Sequence, residues 1–268
     1  MVLGRNATAV VTIITSEDHR VVVAGGAMPA TFPEIAYSDD RGVNWNNVQI
    51  ADAGGGGRGV NMLTIDPLGR VWAVFDEGRI YRSDNQAQSW TVFEDGVETV
   101  QNLLDIVFYD ENVGYAVGNA GIVLQTINGE DWDQIGSPVG IGVNILSVAV
   151  NRYGHVFVTT NDTRLFRSVD GGANWVEILD QLVGTINRVR FDAAHRYFGY
   201  FIWDNAAPAG QLWRTEDGGS TWAAEVLVGQ TPANNGLDAL FVNDTNMVYI
   251  GGEPVGGTSF IAKFIRRA

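Results

Sequence analysis

The sequence predicts an all-β fold, a single β-propeller of about six four-stranded blades. Three observations carry that expectation: a short turn motif recurs along the chain, runs of β-branched and aromatic residues flank each copy, and no 3.6-residue periodicity occurs. All-β folds of this kind commonly reach 268 residues as one domain, so the length requires no second one.

The motif comes first. The segments YSDDRGVNW, YRSDNQAQSW, LQTINGEDW, FRSVDGGANW and WRTEDGGSTW each place a hydroxyl residue, then Asp or Asn two positions on, then Trp. Their hydroxyl residues, Ser38, Ser83, Thr126, Ser168 and Thr215, stand 45, 43, 42 and 47 residues apart, a period suited to one four-stranded blade. Before four of the motifs lie β-rich runs such as VWAVFDEGRIY and GYAVGNAGIVL. Ahead of these stands an apolar strand opening with asparagine: Asn61, Asn102, Asn144 and Asn187, with Asn6 and Asn235 at matching places in the first and last units. The blades so delimited are 6-50, 59-98, 102-138, 144-182, 185-228 and 235-268. The last unit has no motif and material for three strands only. Either its blade has three strands, or residues 1–5 or another chain complete it, and the open edge is expected at an interface, including a homo-oligomeric one.

Within the motif the hydroxyl and carboxylate suit the backbone amides of a tight turn. Its residues are Ser38, Asp40, Gly42 and Trp45; Ser83, Asn85 and Trp90; Thr126, Asn128 and Trp132; Ser168, Asp170, Gly172 and Trp175; and Thr215, Asp217, Gly219 and Trp222. The three glycines fit positive φ, and each Trp supplies a large apolar wedge. This reads as a folding device. It closely resembles the Asp-box, or BNR repeat, of sialidases, some glycoside hydrolases, sortilin-type receptors and photosystem II assembly-factor propellers, and the resemblance covers nearly the whole chain. The second copy has Asn85 for Asp and Ala87 for Gly, and the third is one residue short, so both turns are expected to deviate.

The resemblance implies ligands at the face opposite the box turns, where the loops 24–35, 51–61, 203–211 and 251–259 are long and rich in Gly, Ala and Pro. Candidate ligand residues there are Asp76, Glu77, Asp105, Arg190 and Asp204. A sialidase would need three convergent arginines and an Arg-Ile-Pro motif. That motif is absent, and against Arg188 and Arg190 the matching inner-strand positions are Met62, Thr64, Leu103, Asp105, Ile145 and Ser147. Other glycosidases of this superfamily need a carboxylate pair. No catalytic residue, cofactor or metal site is assigned: His19, His155 and His195 recur just before second strands as turn residues, and Gly54 to Gly57 lacks a following Gly-Lys-Ser/Thr. The phrase GYAVGNAGIVLQT most resembles the photosystem assembly factors, in which an arginine cluster is functional; here the arginines scatter over all six units.

Charge narrows the partners. With 31 acidic residues, 17 basic ones, Lys263 the single lysine and a net charge of −14, the surface repels phosphate backbones and anionic lipid, so neither nucleic acid nor membrane insertion is expected. Cysteine is absent, excluding disulfides and thiolate metal sites. Residues 1–15 lack the pattern of a secretory signal, and no export is expected. These features lead to a non-enzymatic binding or structural propeller, expected as a bacteriophage virion component made in host cytoplasm that contacts assembly proteins or the host surface. The alternatives are a carbohydrate-binding or glycoside-hydrolase propeller, and a cytoplasmic or photosynthetic assembly factor.

Overall fold

A computed structural model describes residues 10–15, 21–25, 34–40, 43–50, 59–95, 98–179, 184–192, 197–204, 211–225, 237–244, 247–255 and 258–265. Gly42, Asn6, Asn235, His19, His195, residues 1–5 and the Gly54 to Gly57 run lie outside these. The described strands form six antiparallel sheets, each built from strands consecutive in the chain.

The chain packs as two compact units, Met1–Ile135 and Gly136–Ala268. In the first unit the sheets are β1 (Val10–Thr15), β2 (Val21–Gly25), β3 (Glu34–Ser38) and β4 (Asn46–Gln49); β5 (Val60–Ile65), β6 (Val71–Phe75), β7 (Arg79–Ser83) and β8 (Thr91–Asp95); and β9 (Leu103–Phe108), β10 (Gly114–Gly118), β11 (Val123–Thr126) and β12 (Asp133–Gln134). In the second they are β13 (Ile145–Val150), β14 (Val156–Thr160), β15 (Leu165–Ser168) and β16 (Val176–Leu179); β17 (Thr185–Phe191), β18 (Gly199–Asp204), β19 (Gln211–Thr215) and β20 (Ala223–Glu225); and β21 (Leu237–Asp244), β22 (Met247–Val255) and β23 (Thr258–Ile265). Among the described residues the last sheet has three strands.

Burial is deepest at the second strands. The second strands β6, β10 and β14 are buried at every residue, which explains why VWAVF, GYAVG and VFVTT read as apolar runs instead of alternating. The fourth strands β4 and β16 are largely exposed. First strands of successive sheets lie side by side, β1 with β5 and β5 with β9 in one unit, and β13 with β17 and β17 with β21 in the other. Apolar layers fill the space between sheets. Met62, Trp72 and Val74 meet Leu103, Ile106 and Phe108 in the first unit, and Phe157 and Leu165 meet Val189 and Phe201 in the second.

Every first strand carries a bulge near its start, where one residue is skipped in the pairing: Val11, Asn61, Leu104, Leu146, Asn187 and Asp238. This corrects the alignment read from the opening asparagines. Asn61 and Asn187 occupy the bulge, whereas Asn102 and Asn144 stand two positions earlier, accepting the amides of Asn119 and Asn161 as Gly59 accepts that of Asp76. The register therefore matches Arg188 with Met62, Asp105 and Ser147, and Arg190 with Thr64, Val107 and Ala149. The asparagine alignment is two residues out in these two strands; a shift of two keeps the same face, so it had set Asp105 and Ser147 level with Arg190 instead of Arg188.

Candidate functional site

The box turns follow one hydrogen-bond plan. The hydroxyl donates to the Asp or Asn two residues on: Ser38 to Asp40, Ser83 to Asn85, Ser168 to Asp170 and Thr215 to Asp217 at 2.8–2.9 Å, and Thr126 to Asn128 at 3.2 Å. The hydroxyl oxygen then accepts an amide four residues on, from Ala87 at 2.8 Å, Gly172 at 2.7 Å and Gly219 at 2.8 Å. The carboxylate or amide oxygen accepts further amides, such as Asn44 at 2.7 Å, Ser89 at 2.9 Å and Asn174 at 2.8 Å.

The second turn does not deviate as expected. Gln86 and Ala87 take φ of 58° and 71°, where Gly171 and Gly172 take 73° and 96° and Gly218 and Gly219 take 72° and 88°. The third turn does differ, by dropping one left-handed residue. Gly129, at φ 70°, bonds Thr126 Oγ1 from three residues away at 3.0 Å.

The Trp residues fasten neighbouring sheets. Trp132 is buried edge-on against Trp72 of the preceding sheet and Phe108 of its own, both at 5.9 Å, while Trp222 packs on Phe201 at 5.0 Å and on Phe157 of the preceding sheet at 6.4 Å. Trp90 lies half-buried against the layer containing Ile35 and Phe75. Trp175 donates to the Gly136 carbonyl at 3.0 Å, and Trp45 is half-buried.

The ligand candidates fare differently. Asp76 closes the turn between β6 and β7: its Oδ2 accepts the Gly59 amide at 2.8 Å and its Oδ1 accepts Asn61 Nδ2 at 3.0 Å. Asn61 Nδ2 also donates to the Leu103 carbonyl of the next sheet at 2.8 Å. Asn161 serves β14 as Asp76 serves β6, its Oδ1 accepting the Asn144 amide at 3.0 Å. Glu77 is exposed at φ 59°, and its amide donates to Asn102 Oδ1 at 3.1 Å. Asp105 is fully buried, its Oδ1 accepting the Ile106 amide at 3.0 Å.

In the second unit Arg190 donates from Nη1 to Ser147 Oγ and the Val189 carbonyl, both at 2.8 Å, and Arg188 donates to the Leu146 carbonyl at 3.2 Å. Both arginines thus clamp the preceding sheet. Asp204 pairs with Thr185 and Arg190 with Tyr200, at opposite ends of one hairpin about 13 Å apart along the strand. Asp76 and Glu77 share a turn, but the hairpin separates Arg190 from Asp204. Among the described residues no group of acids or histidines is arranged to hold a metal ion.

Sequence reasoning missed a second repeated turn, between first and second strands. Asp66 Oδ1 accepts the amides of Leu68 and Arg70, both at 3.0 Å; Asp110 Oδ1 accepts those of Asn112 and Val113; Asn151 Oδ1 accepts those of Tyr153 and His155. The signal was present as an Asp or Asn closing four of the apolar first strands, in TID, FYD, AVN and RFD.

The electrostatics of the turns follow from these bonds. Asn174's side chain and amide and the Ser168 hydroxyl hold Asp170 at about 2. For Asp217 partial desolvation pulls upward most strongly, yet the bonds from Thr221, Thr215 and Ser220 together hold it at about 2. Asp40 is lowered by Asn44 and Ser38. Partial desolvation and nearby Arg167 hold His155 below its ordinary value.

Comparison with known proteins adds the following. Residues 11–127 match the family described as photosynthesis system II assembly factor YCF48. A xyloglucanase of Xanthomonas campestris has 16% identity and a TM-score of 0.73 over 91% of this chain, which spans 44% of that enzyme. The structure of YCF48 bound to D1 peptide has 11% identity and a TM-score of 0.62, covering 98% of this chain and 93% of that one. YCF48 from Cyanidioschyzon merolae has 13% identity and a TM-score of 0.62, covering 98% of this chain and 97% of that one. No curated protein matches significantly. The repeated turns, the consecutive antiparallel sheets and these likenesses together identify the chain as an Asp-box β-propeller, similar to YCF48 and to glycoside-hydrolase propellers.

Proposed function

We propose that this propeller is a non-enzymatic module that binds a polypeptide segment of a larger assembly. One observation carries the reading: two of the candidate acids, Asp76 and Asp105, are committed to the fold. Asp76 caps a turn, and Asp105 is buried within a first strand. Glycosidases of either stereochemical class need two carboxyl groups facing one sugar. A relative of similar length that binds a peptide supports the same reading. The expected bacteriophage virion role draws no support from these relatives. A selection of displayed random peptides on the immobilised chain should enrich a consensus, and the chain should release no reducing sugar from xyloglucan.

The glycoside-hydrolase reading stays second, favoured by the TM-score of 0.73 to the xyloglucanase. Reducing sugar released from xyloglucan and lost in Glu77→Gln, with no peptide enriched, would put it first.

A further inference from the structure

Beside the fifth box turn the second unit presents two tyrosines. Tyr153 belongs to the turn between β13 and β14, and Tyr197 precedes β18. Their ring centroids stand 5.6 Å apart at an interplanar angle of 69°. Tyr153 is 57% exposed. One side of the ring rests on the backbone of Gly218, where an added Cβ would lie 3.1 Å from Cε2, while more than half of the residue stays exposed. The His155 ring lies 5.5 Å away, and the Arg152 guanidinium sits 4.9 Å over the Tyr197 ring.

The backbone beneath the two rings is pinned by hydrogen bonds. Asn151 Oδ1 accepts the amides of Tyr153 and His155 at 2.9 and 3.0 Å, and its Nδ2 donates to the Gly218 carbonyl at 2.6 Å. The Gly218 amide donates to the Tyr197 carbonyl at 2.9 Å. A backbone already fixed has less freedom to lose on binding. The rim offers two phenols, an imidazole and a guanidinium as hydrogen-bonding groups.

We propose that Tyr153, Tyr197, Arg152 and His155 form a binding site for a neutral pyranose ring, stacked on Tyr153 and hydrogen-bonded at the rim. A pyranose has one face of axial C–H groups and an equatorial belt of hydroxyls, which matches a flat ring edged by donors and acceptors. A neutral sugar also carries no charge for the −14 chain to repel, as an anionic glycan or acidic peptide would. Partial desolvation and neighbouring Tyr197 push the Tyr153 phenol up, and His155 is held low, so at neutral pH both are uncharged.

The test is calorimetric titration of the whole chain with cellotetraose, laminaritetraose and mannotetraose, alongside a glycan array that includes uronic and sialic acids. At least one neutral tetrasaccharide should bind with a Kd of about 1 mM or tighter. Tyr153→Ala should weaken it by about tenfold and Tyr153→Phe by much less. Arg152→Ala, at an exposed position, provides a second variant and should also weaken binding. Absence of neutral-sugar binding, a preference for anionic glycans, or binding unchanged in both Tyr153→Ala and Arg152→Ala would overturn the assignment. None of these outcomes bears on the peptide reading, which the displayed-peptide selection tests separately.

Discussion

Gly219 sits directly beneath the ring of Phe157, with the position of an added Cβ 2.4 Å from Cζ. Phe157 is fully buried in the preceding sheet and has nowhere to move. Ala87 holds the same place in the second turn with its methyl group buried. The same turn therefore tolerates a side chain in one blade and forbids it in another. Gly219→Ala should cost about 2–3 kcal/mol through overpacking and strain. Ala87→Gly should stay within about 0.5 kcal/mol, relief of positive φ offsetting a lost buried methyl. Urea unfolding of the two variants checks both values.

Asp66 and Asp110 hold equivalent turns with unequal demands. Asp110 accepts two backbone amides at one oxygen, a task that Asn151 performs with a neutral amide. Asp66 is buried, and its second oxygen accepts both Arg70 Nε and Trp72 Nε1, the latter at 2.8 Å. An asparagine there would set its NH2 against two donors. Asp66→Asn should cost about 2–4 kcal/mol and Asp110→Asn less than about 0.5, by chemical denaturation.

Acid should loosen the box turns in a defined window. Asp170 and Asp217 lie at about 2 in the folded chain, below the ordinary 3.8. A depressed carboxylate contributes its stability fully above the unfolded value and loses it as pH falls from about 4 toward 2. The double variant Asp170→Asn/Asp217→Asn should show a shallower loss of stability across that window, since Asn85 and Asn128 already fill this position. An unchanged slope in the variant would refute the linkage.

Asn187 donates from Nδ2 to the Leu237 carbonyl of the next sheet at 2.6 Å. Its bulge counterparts Leu104 and Leu146 have no such donor. Asn187→Leu should cost about 1 kcal/mol for the lost bond. Asn187→Asp should cost about 2, because a carboxylate would face a carbonyl oxygen. The comparison is made from unfolding midpoints at constant m-value.

The repeat and the box residues were legible in the sequence because turn chemistry fixes residue types at fixed spacings, and the Trp marks each copy. The alignment of first strands was not, since alternation presumes an unbroken ladder and the bulge at Asn61 or Leu104 hides in ordinary strand residues. Asp76 looked like a ligand group because a turn-capping carboxylate and a catalytic one share a residue type; only its bonds to Gly59 and Asn61 tell them apart. Tyr153 passed unnoticed because a lone aromatic in a turn carries no period, and its meeting with Tyr197 depends on two sheets lying side by side.

The bulges have a bearing on how the gene can vary. Loss of one codon ahead of the pairing in β5 or β17 would turn the start of that strand over, sending Val60 or Ile186 outward and breaking the bond from Asn61 or Asn187. Loss of one codon in a box turn is already accommodated, for the third blade closes with one left-handed residue fewer. Length variation among descendants of this chain should therefore collect in the box turns and be purged from the first strands, and a library of single-codon deletions sorted for folded protein would reproduce that map.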